Sequence, residues 1–118
     1  MINSRRLFIC AAACVLALAG CASSPTSPEQ HPPIVFVHGN GDNAGLWQAT
    51  IWRFESNGWP RDRLYAIDQP YPTARDDDSK AQPGRSSSTE HMAYLRAEVD
   101  RVLKATGARQ VVRIGRRR

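Results

Sequence analysis

"IVFVHGNGDNAG", residues 34–45, is the stretch that decides the fold. Ile34 to Val37 is an uninterrupted run of apolar, β-forming residues. Because no polar residue alternates with them, the run predicts a strand buried on both faces, as in a parallel sheet. The next six residues, 38–43, are His, Gly, Asn, Gly, Asp and Asn. This composition predicts a loop, since glycine and asparagine tolerate positive φ.

Two amphipathic helices and two more short strands are predicted after this loop. The order strand, helix, strand, helix, strand predicts an α/β fold with three parallel strands and two helices. The first helix is indicated by the helical spacing of Trp47, Ile51 and Phe54, with Asp42 or Asn43 as its cap and Gly58 at its end, and the second strand is predicted at 64–67, ending on Asp68. The second helix is indicated by a Ser87–Glu90 capping box and ends at Gly107, and its apolar stripe consists of Met92, Leu95, Val99, Val102 and Leu103. The third strand is predicted from Val111 to Gly115.

The first 33 residues differ in composition from this domain. Arg5 and Arg6 precede an apolar stretch from Leu7 to Ala19, which is too short for a membrane span of about 20 residues but long enough for a signal peptide. Leu18 to Cys21 resembles the lipobox of bacterial lipoproteins, which implies lipidation of Cys21 and a membrane-anchored, exported protein. An ordinary secretory signal is the alternative. Residues 22–33 are rich in Ser and Pro and predict a tether.

Charge and cysteine content exclude several classes of function. The chain carries a formal net charge of +5, but between Gln30 and Val112 ten basic residues are balanced by ten acidic ones. The domain therefore has no basic surface typical of a nucleic-acid-binding protein. All three cysteines lie within the first 21 residues, so the domain has no thiol for a disulfide, a zinc site or a nucleophile. Adjacent carboxylates at 76–78 are interpreted as solvated, and neither a metal site nor a cofactor is predicted.

The glycine-rich loop after the first strand has two interpretations. A dinucleotide-binding loop would place its glycines in a Gly-x-Gly-x-x-Gly pattern, but Gly39, Gly41 and Gly45 miss that spacing by one and Asp42 would repel an anion. An oxyanion loop needs only backbone N–H groups and glycines that allow close approach. The sequence favours the oxyanion loop.

Three segments together resemble the α/β-hydrolase superfamily of lipases and esterases. "PPIVFVHGNGDNAGLW", residues 32–47, is similar to the His-Gly segment that follows a central strand in that family. "LYAIDQPYP", residues 64–72, is similar to its next strand and Pro-containing loop. "STEHMAYLRAEVDRVLKATGARQVVRIG", residues 88–115, resembles the helix and strand that lead to the nucleophile. The resemblance implies an ester or acyl hydrolase acting on small-molecule or lipid esters.

The resemblance also implies roles for individual residues. It places an oxyanion-hole loop at His38, Gly39, Asn40 and Gly41, with the Asn40 N–H as donor and His38 as an organiser of the loop. Asp68 is implied to shape its loop and not to act as the catalytic acid. Gly115 is implied to be the first glycine of the nucleophile turn.

The sequence departs from the family after Gly115. The family requires serine two residues later, where this chain has arginine within Arg116–Arg118. We therefore expect an N-terminal hydrolase portion, truncated before the nucleophile, that has no catalytic triad, is inactive and is poorly stable because its third strand is an open edge. A non-enzymatic, lipid-anchored interaction module is the alternative. The predicted divisions are a signal peptide at 1–21, a tether at 22–33, the hydrolase portion at 34–115 and a basic terminus at 116–118.

Two features stay open at the level of sequence. The polar stretch from Thr73 to Ser88 predicts an exposed loop, which either crosses a site or is a solvated insertion. Trp47, Trp52 and Trp59 fit core packing better than the lining of an acyl pocket. His91 lies off the apolar stripe and is predicted to be exposed.

Overall fold

A parallel three-stranded sheet organises the domain. The structure, a computed structural model, describes residues 31–116, with strands β1 (Ile34–Val37), β2 (Leu64–Ile67) and β3 (Val112–Gly115). The strand order is β2-β1-β3, and both pairings are parallel. The predicted α/β fold with three parallel strands is confirmed. The proposed signal peptide, Cys21, residues 22–30 of the tether and Arg117–Arg118 lie outside the described residues.

The register aligns the strands at both ends. Ile34 is level with Leu64 and Val112, and Val37 is level with Ile67 and Gly115. All three carboxyl ends therefore meet at one edge of the sheet, where loops from different strands can build one site.

Two helices cover the two faces of the sheet. Helix α1 (Gln48–Ser56) follows a 3-10 turn (Ala44–Trp47), and helix α2 (Ser88–Thr106) precedes β3. The 3-10 turn occupies the first part of the predicted helix, as is common at helix N-termini. Asn43 and not Asp42 caps it, since the Asn43 side chain accepts the Gly45 N–H at 2.9 Å.

Alternate residues of β1 pack on opposite helices. Ile34 and Phe36 belong to the cluster that includes Ile51 of α1, whereas Val35 and Val37 belong to the cluster that includes Leu95 of α2. All four are buried, which is the pattern predicted for an apolar run in a parallel sheet.

The three tryptophans have different environments. Trp47 is buried, with its ring centroid 5.4 Å from that of Phe36, and Trp59 packs edge-on against Phe54 at 5.4 Å. Trp52 is 60% exposed on the outer face of α1. Core packing is therefore correct for Trp47 and Trp59 but wrong for Trp52, because only one stripe of α1 faces the sheet.

Both predicted ends of α2 are confirmed. The Ser87 hydroxyl accepts the Glu90 N–H at 3.2 Å, and the Glu90 carboxylate accepts the Ser87 N–H at 2.7 Å, which completes the capping box. The helix ends at Gly107, which has φ of +66°. Within the predicted stripe Leu95 and Val102 are buried, but Met92 is 43% exposed. Met92 lies beside the open edge strand β3, since it lines one cavity with Arg113 and another with Gly115.

Strand β3 is an outer strand of the sheet, as expected. Val112 is 41% exposed and Arg113 is also exposed, whereas Ile114 packs against the cluster on the α1 face. Within residues 31–116, no strand pairs with the outer edge of β3. In the same range, no helix is both long enough and apolar enough to span a bilayer.

Candidate active site at the carboxyl end of the sheet

His38, the residue after β1, connects the carboxyl ends of β1 and β2. It is 2% exposed, and its Nδ1 lies 3.0 Å from the Gly39 carbonyl oxygen. Its Nε2 accepts the backbone N–H of Gln69 at 3.1 Å. An Nδ1–H donor and an Nε2 acceptor define a neutral imidazole. Because both nitrogens already bind backbone groups, His38 holds two loops together and is not available as a general base.

Asp68 lies beside His38 but serves another partner. Its Oδ1 is 3.8 Å from His38 Nε2, which is too far for a hydrogen bond, and the Nε2 lone pair is already used by Gln69. The same Oδ1 accepts the Ala44 N–H at 2.8 Å and so connects the end of β2 to the start of the 3-10 turn. Asp68 therefore shapes its loop, as the resemblance implied.

Tyr94 joins helix α2 to the same loop. Its hydroxyl donates to the Asp68 carbonyl at 2.6 Å. Burial raises the pKa of Tyr94 above its ordinary value, and the nearby charge of Glu98 adds to the rise. The tyrosine therefore remains a neutral hydrogen-bond donor at physiological pH.

The candidate oxyanion loop is held by the segment that follows β2. The Asn40 side-chain oxygen accepts the Ala74 N–H at 2.7 Å, and the Gly41 N–H donates to the Pro72 carbonyl at 3.2 Å. Gly41 has φ of +73°, a conformation that favours glycine. Within residues 31–116 the backbone N–H of Asn40 has no acceptor, whereas that of Gly41 is occupied. Asn40 is thus the better candidate donor of the two.

The polar stretch from Thr73 to Ser88 is an ordered loop packed beside this site. A β-bridge pairs Ala74 with Ser86, and the Ser86 hydroxyl donates to the Tyr71 carbonyl. The Arg75 guanidinium lies 2.8 Å from the Glu90 carboxylate. The loop is therefore better described as an excursion beside the candidate site than as a solvated insertion.

The three carboxylates at 76–78 are engaged and not simply solvated. Asp76 pairs with Arg85 at 2.8 Å, Asp77 accepts from the Ser79 hydroxyl at 2.6 Å, and Asp78 accepts the Ser88 N–H at 3.1 Å. Asp76 and Asp78 are exposed, as expected of solvated carboxylates, and their bonds also connect distant parts of the loop. Within residues 31–116 no three His, Cys, Asp or Glu side chains are grouped to hold a metal ion.

Two cavities of about 460 Å³ each open near these residues. The first lies at the ends of β1 and β3, with Val37, His38, Gly115 and Arg116 in its wall. The second lies between the loop and α2, and its wall includes Tyr71, Arg75, Ser86 and Tyr94. His91 is half-buried and lines both cavities, so the prediction of an exposed His91 is wrong.

Gly115 is located where β3 meets the end of β1. The N–H of the next residue, Arg116, donates to the Val37 carbonyl at 3.1 Å, which extends the ladder past the strand. A Cβ at Gly115 would lie 3.6 Å from Val37, an ordinary contact. Gly115 therefore needs neither a positive φ nor unusual space.

His38, Asn40 and Asp68, which the sequence singles out, lie at one edge of the sheet, but their partners do not stand out in the sequence. Gln69, Ala74 and Tyr94 contribute backbone or hydroxyl groups from distant positions. No short-range pattern marks them, because a backbone N–H is present at every residue except proline.

The Glu90 carboxylate is expected to make the stability of the fold depend on pH in the acid range. Acceptance of the Ser87 N–H, aided by the nearby Arg75 charge, lowers the pKa of Glu90 below its ordinary 4.5. A lowered folded-state pKa stabilises the fold above pH 4.5, and that contribution is lost as the pH falls through the folded pKa. Glu90→Gln keeps a capping-box acceptor but cannot titrate. We expect it to flatten the fall in unfolding free energy as the pH drops below 4.5, measured by urea unfolding.

The matched control for this prediction is Asp62→Asn. Asp62 is exposed and forms no ion pair within residues 31–116. In Asp62→Asn the unfolding free energy should fall with decreasing pH as steeply as in the wild type. In Glu90→Gln a smaller fall should remain, because the pKa values of Asp76 and Asp77 are also lowered by hydrogen bonds. Equal slopes for wild type and Glu90→Gln would contradict the assignment.

The fold and the loops together define a class of protein. A parallel α/β sheet with its polar loops and cavities at the strand carboxyl ends is the arrangement in which α/β enzymes bind their ligands. The model of the family Lipase (class 2) matches residues 31–116, and the chain belongs to this lipase family. No curated protein matches the chain.

Proposed function

We propose that residues 31–116 supply the oxyanion loop of an ester-hydrolase site, with the Asn40 N–H as the donor. Family membership supports an ester substrate. The observation that carries the proposal is the Asn40 N–H without an acceptor in residues 31–116, in a loop fixed by Ala74 and Pro72. A fixed donor stabilises the negative oxygen of a tetrahedral intermediate without reorganising during the reaction.

His38 and Asp68 support the loop and do not take part in proton transfer. His38 connects Gly39 to Gln69, and Asp68 connects β2 to Ala44. These contacts fix the backbone on either side of Asn40. Their role is to position the donor, which must be aimed where charge develops.

We further propose that residues 1–118 alone do not hydrolyse esters. The family pattern requires serine two residues after Gly115, and this chain has arginine there. An arginine stays protonated and cannot act as a nucleophile. We also propose that the protein is exported and anchored through a lipidated Cys21, which rests on the basic start, the apolar stretch and the Leu18–Cys21 motif.

Hydrolysis by the full chain tests the proposed inactivity. In detergent solution, the protein should release p-nitrophenol from p-nitrophenyl butyrate no faster than the same solution without protein. A fluorophosphonate probe, which labels activated serines, should label no residue. Measurable hydrolysis that persists in both Asn40→Pro and His38→Ala would show that the site has been assigned to the wrong residues.

A titration with hexylphosphonate, a tetrahedral anion, tests the oxyanion donor directly. The amide signal of Asn40 should shift more than that of Ala97, an exposed residue of α2, and the response at neighbouring loop amides should disappear in Asn40→Pro. A shift at Asn40 no larger than at Ala97 would reject the donor.

Partner binding is the second candidate function, and two exposed features favour it. Trp52 on α1 and Val112 on β3 are 60% and 41% exposed. A domain that acts through such surfaces must be stable by itself. A single cooperative melting transition, together with loss of a defined complex in Trp52→Ala, would favour this function over the hydrolase site.

A further inference from the structure

A third cavity lies at the opposite end of the sheet from the candidate active site. Its volume is about 480 Å³. The residues that line it come from the segments just before the three strands and from the end of α2: Pro32, Pro33, Arg63, Thr106, Gly107, Ala108, Arg109 and Gln110. Because the sheet is parallel, these segments meet at the amino ends of the strands.

The charge of this cavity is positive and not neutralised. Arg63 and Arg109 line it, and no lining residue is acidic. Within the described part of the chain neither guanidinium has a hydrogen-bond acceptor or an ion-pair partner. Arg61, Arg75, Arg85 and Arg101, by contrast, each pair with a carboxylate in the same range.

Two residues that line the cavity also have backbone N–H groups without a partner. Within residues 31–116 the N–H groups of Arg109 and Gln110 donate to no acceptor. The carbonyls of Pro32 and Pro33 already accept from Trp59 Nε1 at 3.3 Å and from the Val112 N–H at 2.9 Å. The cavity is therefore lined by residues with two unpaired guanidiniums and two N–H groups without an acceptor, and the Pro32 and Pro33 carbonyls each already accept one hydrogen bond.

The loop that carries Arg109 and Gln110 is preorganised. Gly107 donates its N–H to Leu103 at 2.9 Å, and the Thr106 hydroxyl donates to Val102 at 2.8 Å. These bonds fix the last turn of α2 and the start of the loop that follows it. The same hydroxyl oxygen accepts the Ala108 N–H at 3.3 Å, which holds the loop against the helix.

We propose that this cavity binds a phosphate group, carried either by a lipid headgroup or by a soluble phosphate ester. Two guanidiniums and adjacent N–H groups match the oxygens of a phosphate. The chain enters the domain through Pro32 and Pro33, so the cavity lies where the predicted tether from Cys21 joins the fold. The proposal does not depend on ester hydrolysis, since the oxyanion loop lies at the other end of the sheet.

Titration of the full chain with inorganic phosphate tests the proposal. In detergent micelles, the amide signals of Arg109 and Gln110 should shift and saturate. The double variant Arg63→Gln/Arg109→Gln should bind about 100-fold more weakly, about tenfold for each guanidinium that is replaced. Arg63→Lys, which keeps the charge but not the planar fork, should show an intermediate weakening. Arg53→Gln removes an exposed arginine of α1 outside the cavity wall and should leave the affinity unchanged.

Micelles doped with phosphatidylglycerol distinguish the two sources of phosphate. If phosphatidylglycerol competes with inorganic phosphate and phosphatidylcholine does not, the ligand is a lipid headgroup. If inorganic phosphate saturates the protein and phosphatidylglycerol does not compete with it, the ligand is a soluble phosphate ester. The proposal would be overturned if the amide shifts of Arg109 and Gln110 in the wild-type chain did not saturate with inorganic phosphate. An equal affinity in the double variant, with its remaining amide spectrum unchanged, would overturn it as well.

Discussion

Phe36→Ala is expected to destabilise the domain by about 3–5 kcal/mol, the usual cost of removing a buried phenylalanine side chain. Phe36 is fully buried in the central strand, and its ring contacts Trp47 and Phe54 at centroid distances of 5.4 and 5.8 Å. The cavity left by alanine cannot close, because it is bounded by the sheet on one side and by α1 on the other. Such a loss is comparable to the whole stability of a small domain. The variant should therefore lose its cooperative unfolding transition in near-ultraviolet circular dichroism.

The matched control is Trp52→Ala on the same face of the sheet. Trp52 is an equally large aromatic residue of α1, but it is 60% exposed. Its replacement should change the unfolding free energy by no more than about 0.5 kcal/mol, as is usual for exposed positions. A larger loss for Trp52→Ala than for Phe36→Ala would contradict the assignment of the core.

His38→Ala is expected to cost about 2–4 kcal/mol, by a different mechanism. Alanine leaves the Gln69 N–H without its acceptor in a buried position, and it also removes the packed imidazole. An orphaned buried donor alone costs about 1–3 kcal/mol. Urea unfolding should record this loss, and hydrogen exchange of the Gln69 amide should become fast in the variant. Retention of slow exchange at Gln69 would show that His38 is not the partner that protects it.

Asp68→Asn is the control that separates the hydrogen bond from an ion pair. Asparagine keeps a side-chain oxygen that can accept the Ala44 N–H, but it carries no charge. If His38 is neutral, as its two hydrogen bonds indicate, loss of the charge 3.8 Å away should change the stability little. A loss equal to that of His38→Ala would instead indicate an ion pair between the two side chains.

Local patterns in the sequence were sufficient for the elements of the fold. The apolar run at 34–37 predicted a doubly buried strand, and the Ser87–Glu90 pair together with Gly107 predicted both ends of α2. These predictions succeeded because the physics is local: a cap bonds to a residue three positions away, and a strand buried on both faces needs no polar alternation.

The same patterns failed where exposure depends on neighbouring elements. Met92 belongs to the apolar stripe of α2, yet it is exposed because it lies beside β3, the edge strand, whose outer side no described strand covers. His91 lies off that stripe, yet it is half-buried because the loop at 70–86 packs along the start of α2. Periodicity specifies which face of a helix is apolar but not how far its partner extends.

The sequence by itself determined the order of the elements, their caps and the family resemblance, because each depends on residues close together in the chain. Only the tertiary structure decided which groups meet at the two ends of the sheet. The bond of His38 to Gln69, the bond of Asn40 to Ala74 and the approach of Arg63 and Arg109 to one cavity each join residues about 30 or more positions apart. Their partners are mostly backbone groups, which carry no sequence signature, and only the register of a parallel sheet brings them together.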